Sequence, residues 1–242
     1  MYSIEVDPHV HSVICEHAYS TIEENMREAE KKGMKGVAIT DHGPKLSPFD
    51  NHLHFFNLDI IPKIFHNVRF YKGAEVNILD DKGNVDLPKG YLKRLDWVLA
   101  GYHNLWNEPL SVDFVTNGYV EAIKNPYIDC LSHIGQPKYK CDYEKVVDEA
   151  KKYNKVIEIN NNSFHIRPGS EENCIEVAAL CKEKGVNIIV SSDAHICTMI
   201  GDYNKAFGIL RKVNFPQELI INRTIESFEE YINKRELRTI GG

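Results

Sequence analysis

A unit of roughly thirty residues recurs along this chain and narrows the folds open to it: a short apolar strand, a polar loop, then an amphipathic helix. The first unit runs from Ser3-Ile4-Glu5-Val6-Asp7 into a helix predicted over 21–32. Ile22, Met26 and Ala29 form that helix's apolar stripe, Ser20 and Glu23 suit a capping box, and Gly33 fits a left-handed terminus. Further strands are predicted at 37–40, 68–76, 97–100, 128–132, 156–160 and 187–191. Helices are predicted near 112–124, 143–153 and 173–184, then near 205–213 and 225–234, with a short strand Leu219-Ile220-Ile221 between the last two. The strand at 187–191 is apolar and β-branched, as a strand covered on both faces should be. Residues 44–62 read as a long loop that partly covers one face.

Alternating strand and helix argues for a parallel sheet covered by helices. Seven or eight such units in 242 residues suit a closed or distorted (β/α) barrel. An open doubly wound sheet is the second reading, but its GxGxxG fingerprint is missing after the first strand. No apolar run approaches the roughly 18 residues of a membrane span. The start, MYSIEVDPHVH, lacks the basic region and apolar stretch of a secretory signal. Six cysteines without a CxxC pair suit reduced thiols, so a cytoplasmic protein is expected, with Cys174 and Cys181 buried on a helix. A net charge of -6 gives no footprint for coating nucleic acid, although a nuclease with a local basic groove survives that test.

The chemistry gathers where the strands end. His9, His11 and His17 follow the first strand, and Asp41 and His42 the second. Glu75 lies in the third strand, and His103 and His133 follow the fourth and fifth. The sixth carries Glu158 and Asn160, and the seventh leads to Asp193 and His195. A (β/α) barrel brings all these ends to one face. Taken singly, His-x-His is ordinary surface sequence, Asp-His can cap a helix, and Glu75 can pair with Lys72. Taken together, imidazoles and carboxylates crowded in one bowl are costly without a cation. Such a ligand set suits zinc, manganese or iron.

The segments Asp7-Pro8-His9-Val10-His11-Ser12, Ile39-Thr40-Asp41-His42-Gly43 and Gly73-Ala74-Glu75-Val76-Asn77 resemble motifs of the PHP (polymerase and histidinol phosphatase) family. Ala100-Gly101-Tyr102-His103, Leu131-Ser132-His133 and Ser192-Asp193-Ala194-His195 are similar to its remaining motifs. Glu158-Ile159-Asn160-Asn161, Ser163-Phe164 and Gly169-Ser170-Glu171 narrow the resemblance to the YcdX-type phosphatases. It spans residues 2 to about 235, and Pro8 departs from it where an apolar residue is usual. The resemblance implies a single PHP domain over 1–242, a distorted TIM-like (β/α)7 barrel, and an active site at the C-terminal ends of the strands. It also implies three divalent ions, usually zinc. His9, His11, Glu75 and Asp193 would hold the first, His17, His42 and His195 the second, and Glu75, His103 and His133 the third. Asp7 and Asp41 would orient ligating imidazoles from behind.

These expectations describe a metal-dependent phosphomonoesterase acting on a small phosphorylated substrate. Phosphate ester hydrolysis needs a nucleophilic hydroxide and cations on the oxygens that gain charge, and clustered divalent ions supply both. Asp193 is a second candidate role-holder, as base as well as ligand. Arg167, in the loop after the sixth strand, has the guanidinium fork that suits phosphate oxygens, and Lys138 is a weaker candidate. His52, His54, His66 and His165 are left as rim or surface residues. The alternatives are a PHP-type phosphodiesterase or exonuclease, and a metal-binding module without activity. An amidohydrolase also begins with His-x-His but brings a carboxylated bridging lysine, and no lysine ends the fourth strand here. Histidinol phosphate is one substrate the family admits, and nothing in the sequence selects it.

Overall fold

The computed structural model describes residues 2–47 and 51–240, with side chains as far as residue 234. In chain order the elements begin β1 (Val6–Val10), α1 (Ile22–Lys31), β2 (Gly36–Ile39), α2 (His52–Asn57), β3 (Ile64–Phe65) and β4 (Val68–Asn77). They continue α3 (Lys89–Leu92), β5 (Trp97–Gly101), α4 (Val112–Lys124), β6 (Cys130–Leu131), α5 (Tyr143–Lys152) and β7 (Val156–Asn160). The last are α6 (Ser163–Ile166), α7 (Ser170–Lys184), β8 (Ile188–Ser191), α8 (Asn204–Lys212) and α9 (Ile225–Ile240). Seven strands run parallel in the order β1-β2-β4-β5-β6-β7-β8, and β3 forms an antiparallel hairpin with β4. The fold is the distorted (β/α) barrel that the alternation predicts, in the seven-stranded form that the resemblance implies.

Strand alternation sorts the side chains. Val98 and Ala100 of β5 pack outward on the helices, while Trp97 and Leu99 join the inner cluster with Val6, Tyr71, Val156 and Ile189. Helix α9 closes the lower end, with the Phe228 ring 4.9 Å from Trp97 and 5.1 Å from Tyr71. Above this plug the inward positions turn polar, and the same period that points Tyr71 inward points Glu75 inward. Gly73 lies between them because the backbones are close: a Cβ there would sit 2.8 Å from the Ile39 carbonyl oxygen.

The barrel is drawn together at one seam without a full ladder. The last residue of β1, Val10, forms one bridge with Ala194, just past β8, where His11 N–H donates to the Ala194 carbonyl at 2.8 Å. Lower down, the buried Asn222 fills the gap. Its side-chain amide donates to the carbonyls of Val6 (2.9 Å) and Val190 (2.6 Å) and accepts from Val190 N–H (3.1 Å). This corrects the strand expected at 219–221, which is two 3-10 turns with one bridge, Ile188 with Ile220. A side chain, not a strand, satisfies the neighbouring backbone.

Other local expectations shift for tertiary reasons. The capping box of α1 is Thr21 with Glu24, because Ser20 Oγ instead accepts from Cys197 N–H at 2.9 Å. The expected loop at 44–62 holds a 3-10 turn at Pro44–Leu46, helix α2 and another turn at Leu58–Ile60. Pro8 falls where the β1–β2 register slips, between Asp7 and Val10, a place that tolerates a residue without an N–H. All six cysteines are free, and Cys174 and Cys181 are buried on α7.

Candidate metal centre

Each strand end delivers its residue to the same bowl. His9 stands on β1, Glu75 on β4, and Glu158 and Asn160 on β7. His11, His42, His103, His133, Asp193 and His195 lie just past the ends of β1, β2, β5, β6 and β8. All nine expected ligand residues come together here. Nε2 of His9 and Nε2 of His11 face each other at 3.0 Å. Glu75 Oε2 lies 3.2 Å from His9 Nε2, 3.5 Å from His11 Nε2 and 3.1 Å from His42 Nδ1. Its other oxygen, Oε1, lies 3.1 Å from His103 Nε2 and 2.7 Å from His133 Nε2. Asp193 Oδ1 is 3.2 Å from His11 Nε2 and 3.5 Å from His9 Nε2. His17 is more exposed and stacks at the mouth, 5.2 Å from the His42 ring and 4.7 Å from that of His195.

The bland role for Glu75 as a partner of Lys72 is set aside by the geometry: Lys72 Nζ pairs with Asp59 at 2.7 Å. Burial opposes the charge of Glu75, but His9, His103, His133 and His42 around it hold its carboxyl well below the usual carboxylate range. Burial and the neighbouring imidazoles of His195 and His42 keep His11 well below the ordinary histidine value. Burial likewise lowers His17, to about 4. An ionised Glu75 and neutral His11 and His17 are the forms that bind cations. His9 shifts the other way, its burial outweighed by the carboxylates of Glu158, Glu75 and Asp193, which hold it well above the ordinary value.

The residues fit a cation on a further count. Glu75 Oε1, His42 Nδ1, His133 Nε2 and both ring nitrogens of His103 are buried without an aligned hydrogen-bond partner. Orphaned buried polar atoms are rare. Ligand atoms around one tetrahedral zinc lie about 3.3 Å apart, given bonds near 2.0–2.1 Å, which matches the spacings above. His133 (φ 33°) and Asp193 (φ 51°) also hold left-handed backbone conformations that favour glycine, strain of a kind that collects at functional sites.

The supporting contacts differ from expectation. Among the described residues, Asp7 reaches no imidazole. Its carboxylate accepts from Ser192 N–H and Gly201 N–H, both at 3.1 Å, and so holds the loop that carries Asp193 and His195. Asp41 accepts from Ser12 N–H (2.6 Å), Ser12 Oγ–H (2.8 Å) and the Cys15 thiol (3.2 Å), anchoring the loop between His11 and His17. Of the four rim or surface histidines, His54 stands at the rim, half-buried: its Nε2 lies 2.9 Å from Asp41 Oδ2, and so ties α2 to the centre. The carboxylate behind a candidate ligand is Glu158. His9 Nδ1 and the Ser191 hydroxyl each lie 2.6 Å from its Oε1, and His133 N–H donates to Oε2 at 2.7 Å. The signal was present in the alternation Val156-x-Glu158-x-Asn160, whose outward neighbours Ile157 and Ile159 are apolar.

Arg167 follows α6 and turns inward, its Nη1 donating to Ser163 Oγ at 3.0 Å and lying 3.4 Å from Asp193 Oδ2. Asn160 Nδ2 donates to the same oxygen at 3.1 Å. Lys138 lies further out, its Nζ 2.7 Å from Asn104 Oδ1. Both cations line a mouth cavity of about 670 Å³ that also exposes His17, His42, His103, Asp193 and His195.

A family model described as "PHP domain" matches residues 7–167. A probable phosphatase of Acetivibrio thermocellus is 44% identical over 233 residues, covering 96% of this chain and 97% of that protein. A probable phosphatase of Thermoanaerobacter sp. (strain X514) is 45% identical over 240 residues, covering 98% and 97%. Among solved structures, the histidinol phosphate phosphatase of Lactococcus lactis, crystallised with zinc, L-histidinol and phosphate, superposes with a TM-score of 0.62. That match covers 88% of this chain and 94% of the other at 14% identity, a likeness of fold. Among the described residues, no helix is long and apolar enough to cross a membrane.

Proposed function

The chain belongs to the PHP domain family, and from that premise we propose that it is a metal-dependent phosphatase that hydrolyses small phosphate monoesters. The observation that carries this reading is the division of Glu75, with Oε2 toward His9 and His11 and Oε1 toward His103 and His133. A carboxylate so placed suits two cations at once. Three divalent ions, zinc in the first instance and manganese or iron otherwise, would be held by three sets. His9, His11, Glu75 and Asp193 form the first, His17, His42 and His195 the second, and Glu75, His103 and His133 the third. Bound there, divalent cations supply Lewis acidity, lowering the pKa of water and neutralising charge on phosphoryl oxygens.

The protein's own part is orientation and charge. Glu158 fixes the His9 ring so that Nε2 faces the bowl. The Asp193 carbonyl accepts from His195 Nδ1 at 3.0 Å, which leaves Nε2 of that ring for a ligand role. Asn160 and Arg167 hold Oδ2 of Asp193 and leave Oδ1 toward His9 and His11. Burial opposes ionisation of Asp193, but His9, His11, His195 and Arg167 keep its carboxyl well below the usual range. The ionised carboxylate is the form that serves as a ligand. Arg167 presents its fork to the phosphoryl oxygens at the cavity wall.

The test is a panel of phosphomonoesters and diesters against metal-loaded protein. Faster cleavage of p-nitrophenyl phosphate than of bis-p-nitrophenyl phosphate supports the reading, because the dianion offers more oxygens to the cations and Arg167. The reverse order at equal metal loading points to the phosphodiesterase alternative.

A further inference from the structure

We propose that the mouth selects phosphomonoesters whose leaving group carries a second anionic group, and that Lys138 is the residue that reads it. The inference rests on the phosphomonoesterase reading and deepens it.

The chain has 35 acidic residues against 29 lysines and arginines, yet among the described residues the wall of the mouth contains one carboxylate, Asp193. Both of its oxygens are engaged, Oδ1 with His9 and His11, Oδ2 with Asn160 and Arg167. Among the described residues, no carboxylate on that wall is free to receive an ammonium group. Two permanent cations stand there instead. Arg167 is mostly buried against Asp193, which commits it to the phosphoryl end.

Lys138 is exposed on the 3-10 turn Pro137–Tyr139, where the leaving group would emerge. Asn104 Oδ1 accepts from its ammonium at 2.7 Å, and the Tyr139 ring lies 5.4 Å below it. A neutral amide positions that charge without cancelling it. Of the lysines elsewhere, Lys184 pairs with Asp148 at 2.6 Å and Lys212 with Glu171 at 2.5 Å, whereas Lys145, Lys151 and Lys182, like Lys138, meet neutral oxygens. Among the described residues Lys138 has no such ion pair. An aminoalkyl leaving group would meet two like charges and no counter-ion. A leaving group bearing a carboxylate or a second phosphate would meet Lys138. The cavity, about 670 Å³, is of the size that holds a small metabolite.

Four esters of one two-carbon length isolate the charge: phosphoglycolate, ethylene glycol bisphosphate, ethylene glycol monophosphate and phosphoethanolamine. With the metal-loaded enzyme, kcat/KM for one or both dianionic-plus esters should exceed that for phosphoethanolamine at least about fivefold. That is the swing expected when one exposed ion pair replaces a repulsion, and it should shrink in high salt. Whichever of phosphoglycolate and the bisphosphate leads identifies the second anion. Lys138→Met should compress the anion-to-amine ratio toward that of the neutral ester, and Lys138→Glu should invert it. Calorimetric titration with phosphonoacetate and with 2-aminoethylphosphonate, which carry no cleavable ester, should show the same preference for the anion. An anion-to-amine ratio at or below one, or a ratio unmoved by Lys138→Met, overturns the proposal. If no monoester, p-nitrophenyl phosphate included, is hydrolysed, the phosphomonoesterase reading fails instead, and the phosphonate titration still decides the charge preference.

Discussion

His9 and Glu158 lie 149 residues apart in sequence and meet at 2.6 Å inside the barrel, imidazole Nδ1 against carboxylate Oε1. That contact turns Nε2 of His9 toward Glu75, Asp193 and His11. Glu158→Gln keeps the shape but removes the charge behind the ring. Metal affinity should fall by roughly 10- to 100-fold, the usual effect of losing such a partner. Titration with a competing chelator measures it, and an unchanged affinity would mean that Glu158 serves only the fold.

Glu75 is predicted to govern two ions together. Glu75→Gln removes the one charge that faces both the His9–His11 pair and the His103–His133 pair. Elemental analysis should show the parent close to three metals per chain and the variant short by two. Loss of a single metal would show that the carboxylate does not bridge. The circular dichroism spectrum should be retained, because the apolar core lies below and outside this side chain.

Arg167→Ala should cut kcat/KM by roughly ten- to a thousandfold, the range of one charge-assisted contact of about 1.5–3 kcal/mol or somewhat more. Metal content should persist, since Asn160 still holds Asp193 Oδ2. Arg167→Lys should recover part of the loss, because an ammonium restores charge but not the fork. A variant as active as the parent would leave phosphate recognition to the metals alone.

Asn222→Ala tests the seam. It would leave Val6 O, Val190 O and Val190 N without partners in a place sealed from water. A buried polar group left unpaired costs about 1–3 kcal/mol, so the loss of stability should reach several kcal/mol. Urea unfolding of the metal-free protein gives the value, and a loss below about 1 kcal/mol would show that the seam finds other partners.

The barrel and the gathering of the candidate ligand residues were legible in the sequence because both are written locally. Apolar residues at strand and helix periods set the elements, and parallel strands put every loop after a strand on one face. His9, His11, His17, His42, Glu75, His103, His133, Asp193 and His195 could therefore be grouped before any distance was known. What lies behind them depends on which strands become neighbours and how their inward faces register. Glu158 finds His9 only because β7 and β1 come to flank β8 at the closing seam and both turn these side chains inward. Asp7 and Asp41, close in sequence to candidate ligand histidines, turn instead to neighbouring loops, Asp7 to the backbone of Ser192 and Gly201, Asp41 to Ser12, Cys15 and His54. Ser20 gives up the cap of α1 for Cys197, and Asn222 takes the place of a strand, for the same reason. A hydrogen-bonding group follows the nearest unsatisfied partner in space, and only tertiary packing decides which partner that is.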